Sequence, residues 1–366
     1  MPRIATISFS LLILTVILYL GNLVIYEAVV LAFGITEGIQ LLSLGISLGV
    51  LSASFIAATF IGSWRYNFFT RIYYTLSAVW LGLFLYLFMA SVVYGVAVAI
   101  SQSYVNIGPL LFLIALLVSV YGILHAKKII AEKVSISLPN LPSSWKGKKA
   151  IWVSDLHLGQ IHSAAFTQKI VTQISALSPD IVFIGGDLYD GTRAPNISGL
   201  IAPLSKLSAP FGTYFITGNH EEYGGSKEFI STIASVGIRV LQDEMIEIEG
   251  LQLIGVDYHN ASDPARFKEI LSSLAINRER ASILLKHEPK DLNVAQAAGV
   301  SLQISGHTHK AQLWPLSYVV QLTYKGFGYG LKTLEDMQIY TSSGTGTWGP
   351  PMRVGTNSEI VLFTLE

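Results

Sequence analysis

Cysteine is absent from the 366 residues. That removes disulfides, thiolate metal sites and a cysteine nucleophile. Charge is scarce as well: Asp, Glu, Lys and Arg make up 13% of the chain, about half the ~25% usual in soluble proteins. With 51% hydrophobic residues and a mean hydropathy of +0.51, a single water-soluble globule and a disordered chain are both excluded. Neither sign is in excess, with 24 basic and 24 acidic side chains. No basic field calls for nucleic acid, and no specific nucleic-acid partner is expected.

The scarcity of charge is local. Residues 1–126 carry only Arg3, Glu27, Glu37, Arg65 and Arg71, and the other 43 charged side chains fall in residues 127–366. Two solvents are implied, lipid first and water second. Four apolar stretches, at 4–26, 39–61, 72–94 and 107–124, each approach the ~20 residues that cross a bilayer as a helix. The first shows no clear small-residue cleavage site and is expected to be retained as a span. Arg3, the Arg65/Arg71 pair and Lys127/Lys128/Lys133 mark alternate ends of the spans, and the loops after the first and third spans have no Lys or Arg. The positive-inside rule then predicts a multi-pass membrane protein with both termini and the water-facing domain in the cytoplasm. Gly45, Gly49, Ser52, Ala53, Gly82 and Gly95 allow close helix packing. Nothing within the spans resembles an ion pathway.

The polar part alternates strand-like and helix-like segments. Residues 132–138 alternate apolar and polar, and Pro139 and Pro142 end that strand. Apolar runs at 150–154, 181–184, 213–217, 283–286 and 301–305 each close on a polar cluster. Helical patterns at 163–177, 226–236 and 264–274 lie between them, with Ser163 and Ser226 as expected N-caps. Further strands are expected at 251–256, 338–341 and 359–363. The division expected is 1–126 for the spans, 127–149 for a linker and first strand, and 150–366 for a mixed α/β domain.

The chemistry sits where the apolar runs stop. The five clusters contain Asp155 and His157; Asp187 and Asp190; Asn219 and His220; His287; and His307 and His309. Strand carboxyl ends in an α/β sheet converge on one crevice, so these side chains are expected together. Imidazole and carboxylate ligands suit two divalent ions such as Mn, Fe or Zn, with an Asn carbonyl completing a shell. One Asp must bridge if the ions sit ~3.5–4 Å apart. Arg193 and Arg353 are candidate substrate contacts, as bidentate phosphate donors. Trp314, Phe327, Tyr329 and Trp348 are candidates for lining a substrate groove, with core packing as the alternative.

Taken together, Asp155-x-His157, Gly186-Asp187-x-x-Asp190, Gly218-Asn219-His220-Glu221, His287 and Gly306-His307-x-His309 resemble the signature of calcineurin-like metallophosphoesterases. The resemblance runs over residues 132–366. The ending from Ser343 to Arg353, followed by Glu359-Ile-Val-Leu, is similar to the membrane-associated bacterial-type phosphodiesterases of that family. Some of these hydrolyse the pyrophosphate of UDP-2,3-diacylglucosamine. The fold implied is two facing mixed sheets flanked by helices, an αββα domain, here behind a four-helix transmembrane bundle. The ligand sets implied are Asp155, His157, Asp187 and His309 for one metal, and Asp187, Asn219, His287 and His307 for the other. His220 would protonate the leaving oxygen while metal-held hydroxide attacks phosphorus. Asp190 would orient His220 or simply form a turn. The expected substrate is a phosphodiester or pyrophosphate, lipid-linked or close to the membrane, such as a phospholipid or nucleotide-lipid. Two other readings stay open: a tethered enzyme for soluble nucleotides or phosphoesters, and a transporter or sensor with a catalytically silent metal-binding domain.

Overall fold

The computed structural model describes residues 2–101, 106–190, 197–224 and 226–366. Its contacts divide the chain into two compact units: Met1–His125 with Gly349–Val354, and Ala126–Trp348 with Gly355–Glu366.

The first unit is built on four helices: α1 (Pro2–Phe33), α2 (Gly38–Trp64), α3 (Phe68–Ser101) and α4 (Gly108–Ala126). All four are long and apolar enough to cross a bilayer. They keep most of their apolar side chains on the outside, as lipid solvent requires. Inside, glycines make room for neighbours. A side chain at Gly21 would run into the Phe84 ring, and one at Gly108 would meet Ala32. Gly82 and Gly122 instead accommodate the segment Gly349–Val354. Met352 packs over Gly82, Val354 over Gly122, and the Arg353 N–H donates to the Gly122 carbonyl.

The second unit holds two six-stranded sheets. The strands are β1 (Ile129–Ile136), β2 (Lys149–Val153), β3 (Ile181–Ile184), β4 (Thr213–Phe215), β5 (Arg239–Val240) and β6 (Glu244–Ile248). They continue as β7 (Leu251–Gly255), β8 (Ser282–Leu285), β9 (Leu302–Ser305), β10 (Gly330–Leu334), β11 (Met337–Thr341) and β12 (Ser358–Leu365). The first sheet has the order β1-β12-β2-β3-β4-β5 and the second β10-β11-β9-β8-β7-β6. Both are mixed, with β2-β3-β4 parallel in one and β7-β8-β9 parallel in the other.

Strand alternation sorts the apolar residues into layers. Ala150, Trp152, Ile181 and Phe183 from the first sheet meet Leu253, Ile283, Leu285 and Ile304 from the second in one core. The alternate residues Ile151, Val153, Val182 and Ile184 face outward onto Ile170, Val171 and Ile174 of the helix Ala164–Leu177. Ile254, Leu284 and Ile339 face the other way, onto Phe267, Ile270 and Leu271 of the helix Pro264–Ser273. Strands buried on both faces are apolar throughout, which is why these runs stand out in the sequence.

Ser163 stands at the N-cap of Ala164–Leu177 as expected, though its hydroxyl makes no capping bond. Ser226 needs correction: it is the first helical residue of Ser226–Ser235.

Candidate metal centre

Parallel strands send their carboxyl ends to one edge of each sheet. Asp155 and His157 follow β2, Asp187 follows β3, and Asn219 and His220 follow β4. His287 follows β8, and His307 and His309 follow β9. Both sheets therefore supply the same cluster. The turns that carry it are unusually bent: φ is 56° at Asp155, 49° at His157, 49° at Asp187, 70° at His307 and 49° at His309. Left-handed backbone away from glycine is strained and collects at functional sites. Gly218 is needed for a different reason, because a side chain there would collide with the Asp187 carboxylate.

Among the described residues, three overlapping sets could each hold a metal ion: Asp155/His157/His309, His157/Asp187/His220 and Asp187/His287/His307. Within each, the ligand atoms lie within 4.8 Å of one another. His157 Nε2 faces His309 Nε2 at 3.0 Å, and His309 Nε2 is 3.6 Å from Asp155 Oδ1. Asp187 Oδ2 is 3.2 Å from His287 Nε2, 3.9 Å from His157 Nε2 and 4.0 Å from His220 Nε2. His307 Nδ1 is 2.9 Å from Asn219 Oδ1 and 3.3 Å from His287 Nε2. Ligands each about 2.0–2.2 Å from a common ion stand roughly 3 Å or slightly more from one another. The donors present, all nitrogen and oxygen and mostly buried, fit two divalent ions.

The electrostatics of the protein alone point the same way. Burial would raise Asp187, but the imidazoles of His287 and His220 overcome it and hold the carboxyl well below its usual range. Burial would lower His287, yet Asp187 and then Asp155 hold it up at about 10. Burial and neighbouring His287 push His307 down to about 4, leaving its ring neutral. Burial lifts Asp155 to about 6 against the pull of His287. A buried carboxylate that keeps its charge only beside a protonated imidazole is a site where a metal ion can replace the proton.

Several groups hold this cluster in shape. The His287 Nδ1–H donates to the Gly185 carbonyl at 2.7 Å, turning Nε2 toward Asp187. The Ser154 hydroxyl donates to Asp155 Oδ2, and the His307 N–H donates to both oxygens of Asp155. Asp190 Oδ1 stands 3.7 Å from His157 Nδ1.

Glu221, for which the sequence alone indicates no role, is fully buried. Its carboxylate accepts the N–H groups of Asp187, Gly218, Leu188 and Tyr189. Burial and the nearby Asp187 charge lift it to about 7. The available signal was an acid directly after the Asn-His pair, in a turn whose backbone donors need acceptors.

The cluster opens into a cavity of about 450 Å³ lined on its apolar side by Val320, Tyr324 and Trp348. Trp348 thus takes the groove position, with its ring 6.1 Å from that of His220. His162 is structural, paired with Thr347. Arg353 is fully buried in the first unit, and Arg193 lies outside the described residues.

A family model described as calcineurin-like phosphoesterase matches residues 148–311, a stretch that includes all seven expected ligands. An uncharacterised metallophosphoesterase of Campylobacter jejuni is 36% identical over 244 residues, 64% of this chain and 63% of that protein. A transmembrane protein with metallophosphoesterase domain from Danio rerio is 31% identical over 274 residues, 70% of this chain and 62% of that protein. An uncharacterised metallophosphoesterase of Aquifex aeolicus is 32% identical over 261 residues, 69% of this chain and 98% of that protein. The match spans about three fifths of the Campylobacter and Danio proteins. Fold, donor set and likeness agree: the chain belongs to the calcineurin-like metallophosphoesterases.

Proposed function

We propose that this protein is a membrane-anchored two-metal phosphoesterase that hydrolyses a phosphodiester or pyrophosphate bond at a bilayer surface. The observation that carries this reading is the convergence of imidazoles and carboxylates from both sheets beside an open cavity. Asp155, His157, Asp187 and His309 would hold one ion, and Asp187, Asn219, His287 and His307 would hold the other, with Asp187 serving both sets. When bound, such ions stabilise charge on phosphoryl oxygens and make a water nucleophilic near neutral pH. The thiolate-free donor set suits Mn, Fe or Zn.

The protein's own groups do the rest. The Gly185 carbonyl orients the His287 ring, and the Asp190 carboxylate lies 3.7 Å from His157 Nδ1. His220 lines the cavity, its backbone N–H is held by Asp187 Oδ1 at 2.9 Å, and its ring meets His157 edge-on at 4.6 Å. That arrangement supports His220 as the acid that protonates the leaving oxygen. His220→Gln is expected to keep both metals and lower kcat by about 10²–10⁴-fold. The deficit should shrink for phenol-type leaving groups, which need less protonation. Metal loss in this variant would move His220 among the ligands.

A membrane-proximal substrate is supported by the rim of the cavity. The segment Leu313–Thr323 exposes Trp314, Leu316, Tyr318, Val319 and Leu322, with Leu322 81% exposed, while Val320 and Tyr324 beside them line the cavity. Aromatic and aliphatic side chains together in the open are the composition of a lipid-contacting surface. Leu322→Asp combined with Val319→Asp is expected to lower turnover of a vesicle-embedded phosphodiester at least about tenfold and leave a soluble diester untouched. Equal rates on both would favour the tethered enzyme for soluble substrates.

The Lys/Arg pattern supports a cytoplasmic catalytic domain. Because the chain has no cysteine, a single thiol introduced at Ser144, which is exposed, reports topology directly. It should resist a membrane-impermeant maleimide in sealed right-side-out vesicles and react after lysis. Labelling before lysis would put the site on the opposite face.

A further inference from the structure

We propose that the lipid-facing groove between α1 and α2 is a self-association surface, occupied in the membrane by the same groove of a second copy of this chain. Gly45, Gly49 and Ala53 of α2 are all exposed and spaced four residues apart, so they form one stripe of small residues. Among the described residues the stripe is barely packed: a Cβ at Gly49 would have nothing within 4 Å, and one at Gly45 would touch only the Tyr26 ring, at 3.7 Å. Beside it lies a cavity of about 250 Å³, walled by Tyr19 and Tyr26 and floored by Asn22 and Ser52.

Asn22 is the second, independent observation. It is only 3% exposed and lines the cavity. Its Nδ2 donates to the Ser52 hydroxyl at 2.8 Å, and that hydroxyl donates onward to the Leu48 carbonyl. Its Oδ1 has no hydrogen-bond partner among the described residues. Asn22 bonds to Ser52, which stands midway along α2 (Gly38–Trp64), roughly 20 Å from either end at 1.5 Å per residue. Hydrocarbon tails offer no donor at that depth, and lipid headgroups do not reach it. A protein helix can supply one.

This face carries its own donors, the Tyr19 and Tyr26 phenols and the second amide hydrogen of Asn22. A two-fold axis through the groove brings the donors of each copy to the acceptor of the other. The small-residue stripe lets the backbones approach closely enough for this. The surface is separate from the metal centre and would leave its chemistry unchanged.

The full-length protein in lipid vesicles provides the test. With no native thiol, Gly49→Cys creates a single cysteine on the stripe, and Leu117→Cys creates one on α4, at a position 57% exposed. Copper-catalysed oxidation should convert most of the Gly49→Cys protein to a covalent dimer and leave Leu117→Cys monomeric. In energy-transfer measurements on lipid dilution, Asn22→Leu should raise the dissociation constant about 3- to 30-fold, and Gly49→Leu should abolish association. Equal crosslinking at both cysteines would overturn the proposal, as would a wild-type chain that stays monomeric on dilution. So would a monomer carrying a co-purified lipid that Gly49→Leu displaces. The Gly49→Cys result stands even if Asn22→Leu fails to fold.

Discussion

Asp187→Asn is expected to lose both metal ions together and to reduce hydrolysis by well over the about 10–100-fold typical of mutations in groups that only orient metal ligands. Its Oδ2 lies between the His287 and His157 imidazoles, at 3.2 and 3.9 Å, and its Oδ1 holds the His220 N–H. The asparagine keeps the shape and removes the charge, so each site loses the same anionic ligand. Asp155→Asn should deplete mainly one ion, because Asp155 groups with His157 and His309 alone. Metal content by mass spectrometry, across a chelator titration, separates the two variants. An Asp187→Asn protein that keeps two ions at wild-type affinity would refute the shared-ligand assignment.

Glu221→Ala is expected to destabilise the catalytic unit by at least about 3 kcal/mol and to weaken metal binding at the same time. Four buried backbone N–H groups lose their acceptor, and each one left unmade costs about 1–3 kcal/mol. Cavity water can restore some of them, so the lower end of the sum applies. For a unit of this size the melting temperature should fall by about 6–12 °C. The loops so released carry Asp187 and Asn219, which is why metal affinity falls too. Glu221→Gln tests the chemistry at constant shape: its amide turns donors toward donors, and it should also melt below wild type. Either variant melting within a degree of wild type would show that the buried carboxylate is dispensable.

What the sequence made legible follows from burial. β3 was readable to the residue because Ile181–Ile184 is buried on both faces and ends on Gly185-Gly186-Asp187. The clustered polar residues were readable for the same reason, each standing at the stop of such a run. β10 was not, since Gly330–Leu334 is a mostly exposed edge strand with no apolar alternation. The helix Ser317–Thr323 was missed because its Tyr-Val-Val core has strand-forming composition and no buried face. The spans were found, α2 and α4 nearly to their starts, but α1 and α3 run well past the expected ends. At 34 residues α3 is about 51 Å long, and hydropathy marks a bilayer's thickness rather than a helix's length. Arg353 looked like a phosphate ligand in a Gly/Pro-rich loop. Only contacts distant in sequence, such as Met352 over Gly82, show that its segment belongs with the helices.

The proposed ligands come from two sheets, Asp155, His157, Asp187 and Asn219 from one and His287, His307 and His309 from the other. An ion shared among them is therefore a cross-link between the halves of the sandwich as well as a reagent. Each ion present at a hundred times its dissociation constant adds about 2.7 kcal/mol to the folded state, enough to offset much of the strain at five left-handed residues. Metal starvation would then reduce the amount of folded enzyme before substrate is ever in question. The cell's supply of divalent ions would govern how long the protein survives as well as how fast it works.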